Sequence, residues 1–118
     1  MSFPGSRSSG VLTADALVVT GQCKLISIHG INVHATDATT ATIYDNTAAS
    51  GKKVAVFALP AQTGATSIET TGGSGVQNII GAAPTLVSFE WDMHGVLCKN
   101  GLYLDVTGGT PNITIEFA

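Results

Sequence analysis

Charge is what this sequence has least of. Asp, Glu, Lys and Arg make up 11% of its 118 residues, against roughly 25% in ordinary soluble domains. Five Lys and Arg stand against eight Asp and Glu, for a formal charge of −3. No basic stripe is visible along the chain. Binding to a phosphate backbone, which depends on clustered cations releasing counterions, is therefore not expected. Long apolar runs are also missing. None approaches the ~20 residues that span a bilayer, so no membrane partner is expected. Met1 to Gly10 carries one basic residue and no apolar stretch of the secretory kind, so synthesis and folding in a cytoplasm are expected. Cysteine is limited to Cys23 and Cys98, with no CxxC pair. That excludes a zinc framework read from spacing, and the two are expected to be free thiols acting as small apolar residues. Aromatics are 6% of the chain. An exposed platform of the kind that stacks on sugars is thinly supplied, because Trp91 falls in an apolar register and only Tyr44 and Tyr103 face the other way. A 3.6-residue apolar period is absent over any helical length.

What fills the chain instead is Thr, Ala, Gly and Ser, small uncharged residues that suit close-packed surfaces. A lone monomer normally keeps its surface charged, so much of this surface is expected to be covered by neighbours. Residues 1–10 are rich in Ser, Gly and Pro and read as an extended arm held by a neighbouring chain. Residues 11–118 read as one domain of ordinary size. Val11 to Thr20 holds the β-branched run Leu17-Val18-Val19-Thr20. Cys23 to Ala35 changes apolar parity midway, which predicts a bulge at His29-Gly30. Thr40 to Asp45 alternates, Asp45 to Gly51 forms a loop and Lys52 to Leu59 is the partner strand. Thr70 to Gly75 reads as a flexible loop, and Val76 to Ile80 as a short strand. Val87, Phe89, Trp91 and Met93 alternate with Ser88, Glu90, Asp92 and His94, the pattern of a half-buried antiparallel strand. Asn100-Gly101 predicts a hairpin turn, and Leu102, Leu104 and Val106 alternate beyond it. Gly108 to Pro111 makes the last turn before Ile113, Ile115 and Phe117. About eight short strands predict an all-β, antiparallel, jelly-roll-like β-sandwich. Strand order is left open.

Chemistry is scarce. Asn46 to Lys53 resembles a phosphate loop only superficially, because Asn46 stands where its first Gly belongs and Lys53 where its Ser or Thr belongs. Gly72-Gly73-Ser74-Gly75 lacks the closing Gly and the strand-to-helix setting of a nucleophile elbow. Glu90, Asp92 and His94 share one strand face at a spacing that a bridging ion or a carboxylate-imidazole pair could use, but a solvated or subunit-facing polar surface is the expected reading and needs nothing further. His29 and His34 have no partner that spacing can assign. Asn112-Ile113-Thr114 is a glycosylation sequon without a secretory context. No catalytic set, metal or cofactor is expected, and the chain is not expected to be an enzyme.

Two segments carry a resemblance. Ala41 to Val54 runs through a strand ending in Tyr44-Asp45 and a small-residue loop to Gly51. Asn100 to Ile115 contains Gly101-Leu102-Tyr103-Leu104-Asp105-Val106-Thr107-Gly108. Together, over about a third of the chain, they resemble small all-β virion proteins of tailed bacteriophages, which decorate or cement capsids or form parts of tails. The resemblance implies a virion structural protein, a decoration or cement protein on the major capsid protein, made in the host cytoplasm and assembled as a homo-oligomer, with a trimer preferred. The implied contacts are the arm, through Phe3 and Arg7, and two loops, through Asp45, Asn46 and Gly51 and through Thr71 and Gly73. Alternatives are a tail, baseplate or fibre component, and a carbohydrate-binding module that uses Tyr44 and Tyr103.

Overall fold

Alternation decides which residues become strands here, and the turns decide where they end. In the computed structural model, described over residues 6–62 and 88–118, eight strands form two four-stranded antiparallel sheets. They are β1 (Arg7–Ser8), β2 (Ala16–Thr20), β3 (Cys23–Asn32), β4 (Thr39–Tyr44), β5 (Lys53–Leu59), β6 (Ser88–Cys98), β7 (Gly101–Thr107) and β8 (Pro111–Phe117). The first sheet has the order β1-β8-β3-β6 and the second β2-β7-β4-β5. Apart from the β4–β5 hairpin, each connection switches sheets, and this strand order is that of an eight-stranded jelly roll. The first sheet contributes Cys23, Leu25, Ile28, Cys98, Ile113 and Ile115 to the core, and the second contributes Ala41, Ile43, Leu59, Leu102 and Leu104. The β5–β6 edge is closed by Phe57, whose ring lies tilted at 41° and 4.5 Å from Trp91, which in turn stacks on Phe89 at 5.8 Å.

The predicted bulge exists but lies elsewhere. Against β8 the register of β3 slips between Leu25 and Ser27, so Ile26 is the extra residue there, not His29 or Gly30. Beyond the slip Ile28, Gly30 and Asn32 face the core, while His29, Ile31 and Val33 face outward. Gly30 serves packing: a Cβ there would sit 3.3 Å from Leu59 Cδ1. On β6 the slip is matched by His94 (φ 55°) and Gly95 (φ 77°), two consecutive left-handed residues opposite Ile26. The alternation of β6 therefore stops at Met93. The proposed strand at Val76 to Ile80 and the loop Thr70 to Gly75 lie outside the described residues.

One buried amide organises the far end of the sandwich. Asn32 Nδ2 donates to the carbonyls of Asp37 (2.8 Å) and Leu59 (3.1 Å), and its Oδ1 accepts from the Thr110 and His34 N–H groups at 3.0 Å each. Its own carbonyl accepts from Gln62 Nε2. The last turn fits tightly against it, since a Cβ on Gly109 (φ 65°) would meet Asn32 Oδ1 at 2.8 Å.

Candidate docking surface at the basic pole

Antiparallel wrapping brings the end of β2, β4 and β6 and the start of β3, β5 and β7 to one end of the molecule. Asp45, directly after β4, holds that end together. It is buried, and its carboxylate accepts three backbone N–H groups of the β6–β7 turn: Lys99 (3.0 Å), Asn100 (2.7 Å) and Gly101 (3.3 Å). The Lys99 and Asn100 donors have no strand partner in a tight turn, so an inward carboxylate is a good local acceptor. The Asn100 N–H above all, then those of Lys99 and Gly101 and the charge of Lys52, hold Asp45 below the ordinary carboxylate range, although burial works the other way. Gly101 lies so close that a Cβ would sit 2.7 Å from the Asn46 carbonyl oxygen and 2.8 Å from that of Val19.

The rest of the loop is tied internally. Asn46 Nδ2 donates to the Ser50 carbonyl at 2.9 Å and its Oδ1 accepts the Thr47 N–H at 2.8 Å. The Asp45 N–H donates to the Lys52 carbonyl at 2.9 Å. Gly51 has φ 86°, a conformation that glycine adopts without cost. Asp45, Asn46 and Gly51 thus sit together, with Asp45 committed to the turn beneath and Thr47 to Gly51 exposed. Arg7 reaches the same end along the other sheet: it pairs with Phe117, which also pairs with Leu25. Phe3, Thr71 and Gly73 lie outside the described residues.

Sequence reasoning missed the charge pattern at this pole. The five cations of the chain are Arg7, Lys24, Lys52, Lys53 and Lys99. Lys24 exchanges backbone hydrogen bonds with Ala118 (2.8 and 2.9 Å) and pairs with Leu97. Lys99 is in the turn capped by Asp45, Lys52 closes the loop above it, and Lys53 pairs with Tyr44. All five are exposed, and none pairs with a carboxylate among the described residues. An open pocket of about 430 Å³ lies beside Lys24, lined by Gln22, Cys23, Lys24, Leu97 and Ala118. A scattered set of cations in sequence is a single basic end in space. The signal was readable in one way: each lysine flanks a strand end, and alternating strand directions put those ends together.

The outward faces differ. The second sheet aligns Leu17, Tyr103, Tyr44 and Lys53 in one cross-strand row, with Asp105, Thr42 and Val56 in the next. Leu17 is 48% and Val56 58% exposed. The first sheet carries Glu90, Asp92 and Glu116 around His29. There Ser27 Oγ donates to Glu116 Oε1 at 2.6 Å and so accepts from His29 Nε2 at 3.2 Å. The imidazole is the donor in this chain, the reverse of what activating a serine requires. Asp92 Oδ1 accepts the His94 N–H at 2.9 Å and lies 3.6 Å from its Nδ1. Among the described residues no group of three or more His, Cys, Asp or Glu is placed to hold a metal ion.

No family model matches the chain, and neither a curated protein nor a solved structure is similar enough to match it.

Proposed function

We propose that this chain is a structural subunit of a bacteriophage virion, a capsid decoration or cement protein that binds the major capsid protein and stabilises the head. The observation that carries the reading is the gathering of every cation of the chain, each exposed and without a carboxylate partner among the described residues, at one loop-built pole of a low-charge sandwich. Complementary charge fixes register and speeds encounter, so the pole suits an acidic surface at a junction between coat subunits. The outward face of the second sheet, with Leu17, Val56 and uncharged Thr40, Thr42 and Ala58, suits contact with further copies in a trimer. Jelly rolls also serve as lectins and enzymes of several kinds, so the fold lends only analogy here.

Quantitative mass spectrometry of purified particles tests this. Hundreds of copies per particle place the protein on the head, and a few to a few tens place it in a tail, baseplate or fibre. None would end the virion reading. A Lys24→Glu/Lys52→Glu/Lys99→Glu variant is expected to fold and to be lost from particles. A second reading has one observation in its favour: Tyr44 and Tyr103 are direct cross-strand neighbours on an outward face. A glycan array separates it, since binding abolished by Tyr44→Ala or Tyr103→Ala would favour a carbohydrate-binding module, and no binding to any sugar removes it.

A further inference from the structure

Cys23 opens β3 and Cys98 closes β6, and the two are direct partners in the antiparallel ladder between those strands. Such partners have Cα atoms about 4.5–5.5 Å apart, inside the window of about 4.4–6.8 Å that a disulfide bridges without backbone movement. Both side chains are buried free thiols in the core between the sheets. No other chemistry in the fold uses them.

We propose that Cys23 and Cys98 form a cross-strand dithiol that small-molecule disulfides convert to an intramolecular disulfide, fastening the edge strand β6 to the central strand β3 beside the basic pole.

The pair is asymmetric, which sets the order of events. Cys23 lines the open pocket with Gln22, Lys24, Leu97 and Ala118, whereas Cys98 is wholly enclosed. Burial pushes both thiols up, and Cys98 rises to about 11 because the sulfur of Cys23 and the Asp45 carboxylate face it as well. Cys23 is therefore the entry thiol. Its thiolate attacks one sulfur of a disulfide of the glutathione class, forming a mixed disulfide and releasing one glutathione thiolate, which takes up a proton. Cys98 then gives its proton to solvent and attacks the Cys23 sulfur. The Cys23–Cys98 bond forms and the second glutathione leaves. Two protein thiols are oxidised and one small disulfide is reduced to two thiols. In reducing surroundings the pair stays a dithiol, and in oxidising ones it becomes a staple. This inference does not depend on the virion reading.

The test uses the unmodified full chain incubated with oxidised glutathione at mildly alkaline pH. Expected are loss of both thiols titratable in denaturant and a mass lower by two hydrogens. The unfolding temperature should rise by about 10 °C, an increase that dithiothreitol reverses. The Cys98→Ser variant should stop at one glutathione adduct on Cys23, and Cys23→Ser should react far more slowly. A wild-type chain that keeps its glutathione adduct, forms disulfide-linked dimers, or retains both thiols under conditions that oxidise the denatured chain would overturn the proposal.

Discussion

Asp45, just past the end of β4, and Asp105, on the neighbouring β7, are two carboxylates with opposite relations to folding. Asp45 is held below its ordinary value by three backbone donors. On acidification the unfolded chain takes up this proton before the folded protein does. The stability it contributes is thus present above the ordinary carboxylate value of about 3.9 and lost as pH falls through the lower folded value. Asp45→Asn keeps one acceptor but turns an NH2 group toward an N–H donor. It should cost about 2–3 kcal/mol at neutral pH, read by chemical denaturation, with a shallower acid limb than the wild type. Asp105 is pushed up, chiefly by burial and then by the facing Asp15. Here the folded protein holds the proton more tightly, so its contribution is favourable only at low pH and is lost as pH rises through the folded value. Asp105→Asn should raise the neutral-pH denaturation midpoint, and the gain should shrink toward pH 4; a variant less stable at neutral pH contradicts this. Gly101→Ala, which sets a methyl against two carbonyl oxygens, should cost about 1–3 kcal/mol. None of these residue roles could be read from sequence. Tyr44-Asp45 and Asn100-Gly101 were each visible as a strand end and a turn, but their meeting depends on which strands are neighbours.

At the scale of elements, alternation was a sound guide wherever a strand is half buried. The β6 pattern through Met93 and the β7 and β8 alternations stand as read, but Asn100-Gly101 is a turn that crosses between the sheets and not the expected hairpin, because β6 and β7 do not pair. It misled at β3, where apolar Ile26, Ile31 and Val33 point outward and the core takes Gly30 and Asn32 instead. An inward glycine and an inward amide carry no hydrophobic signal, so the slip was assigned to the visible glycine and not to Ile26. The amide is inward because it satisfies the carbonyls of Asp37 and Leu59 and the N–H of Thr110, a long-range demand that local pattern cannot express. The closure of the β5–β6 edge is equally non-local. Trp91→Ala removes the ring that packs against Phe57 and should cost about 3 kcal/mol, toward the lower end for large-to-small aromatic changes because the ring is only half buried. A cost below about 1 kcal/mol in urea would mean that the edge does not need it.

For the whole molecule, composition had pointed to a surface covered by neighbours without saying where. Low charge is now resolved into a basic pole, an acidic outward face on the first sheet and a sparsely charged outward face on the second. Val56, 58% exposed midway along the edge strand β5 of that last face, is the residue on which self-association should depend most visibly, and Val56→Glu should separate copies without unfolding them. The most direct measurement is the molar mass of the full chain by light scattering after size exclusion, alongside Val56→Glu. Each chain weighs 12.0 kDa. A single species of three chains for the wild type, reduced to one by the variant, is expected of a subunit that works among symmetric copies. A wild type that stays a stable monomer up to high concentration would contradict it.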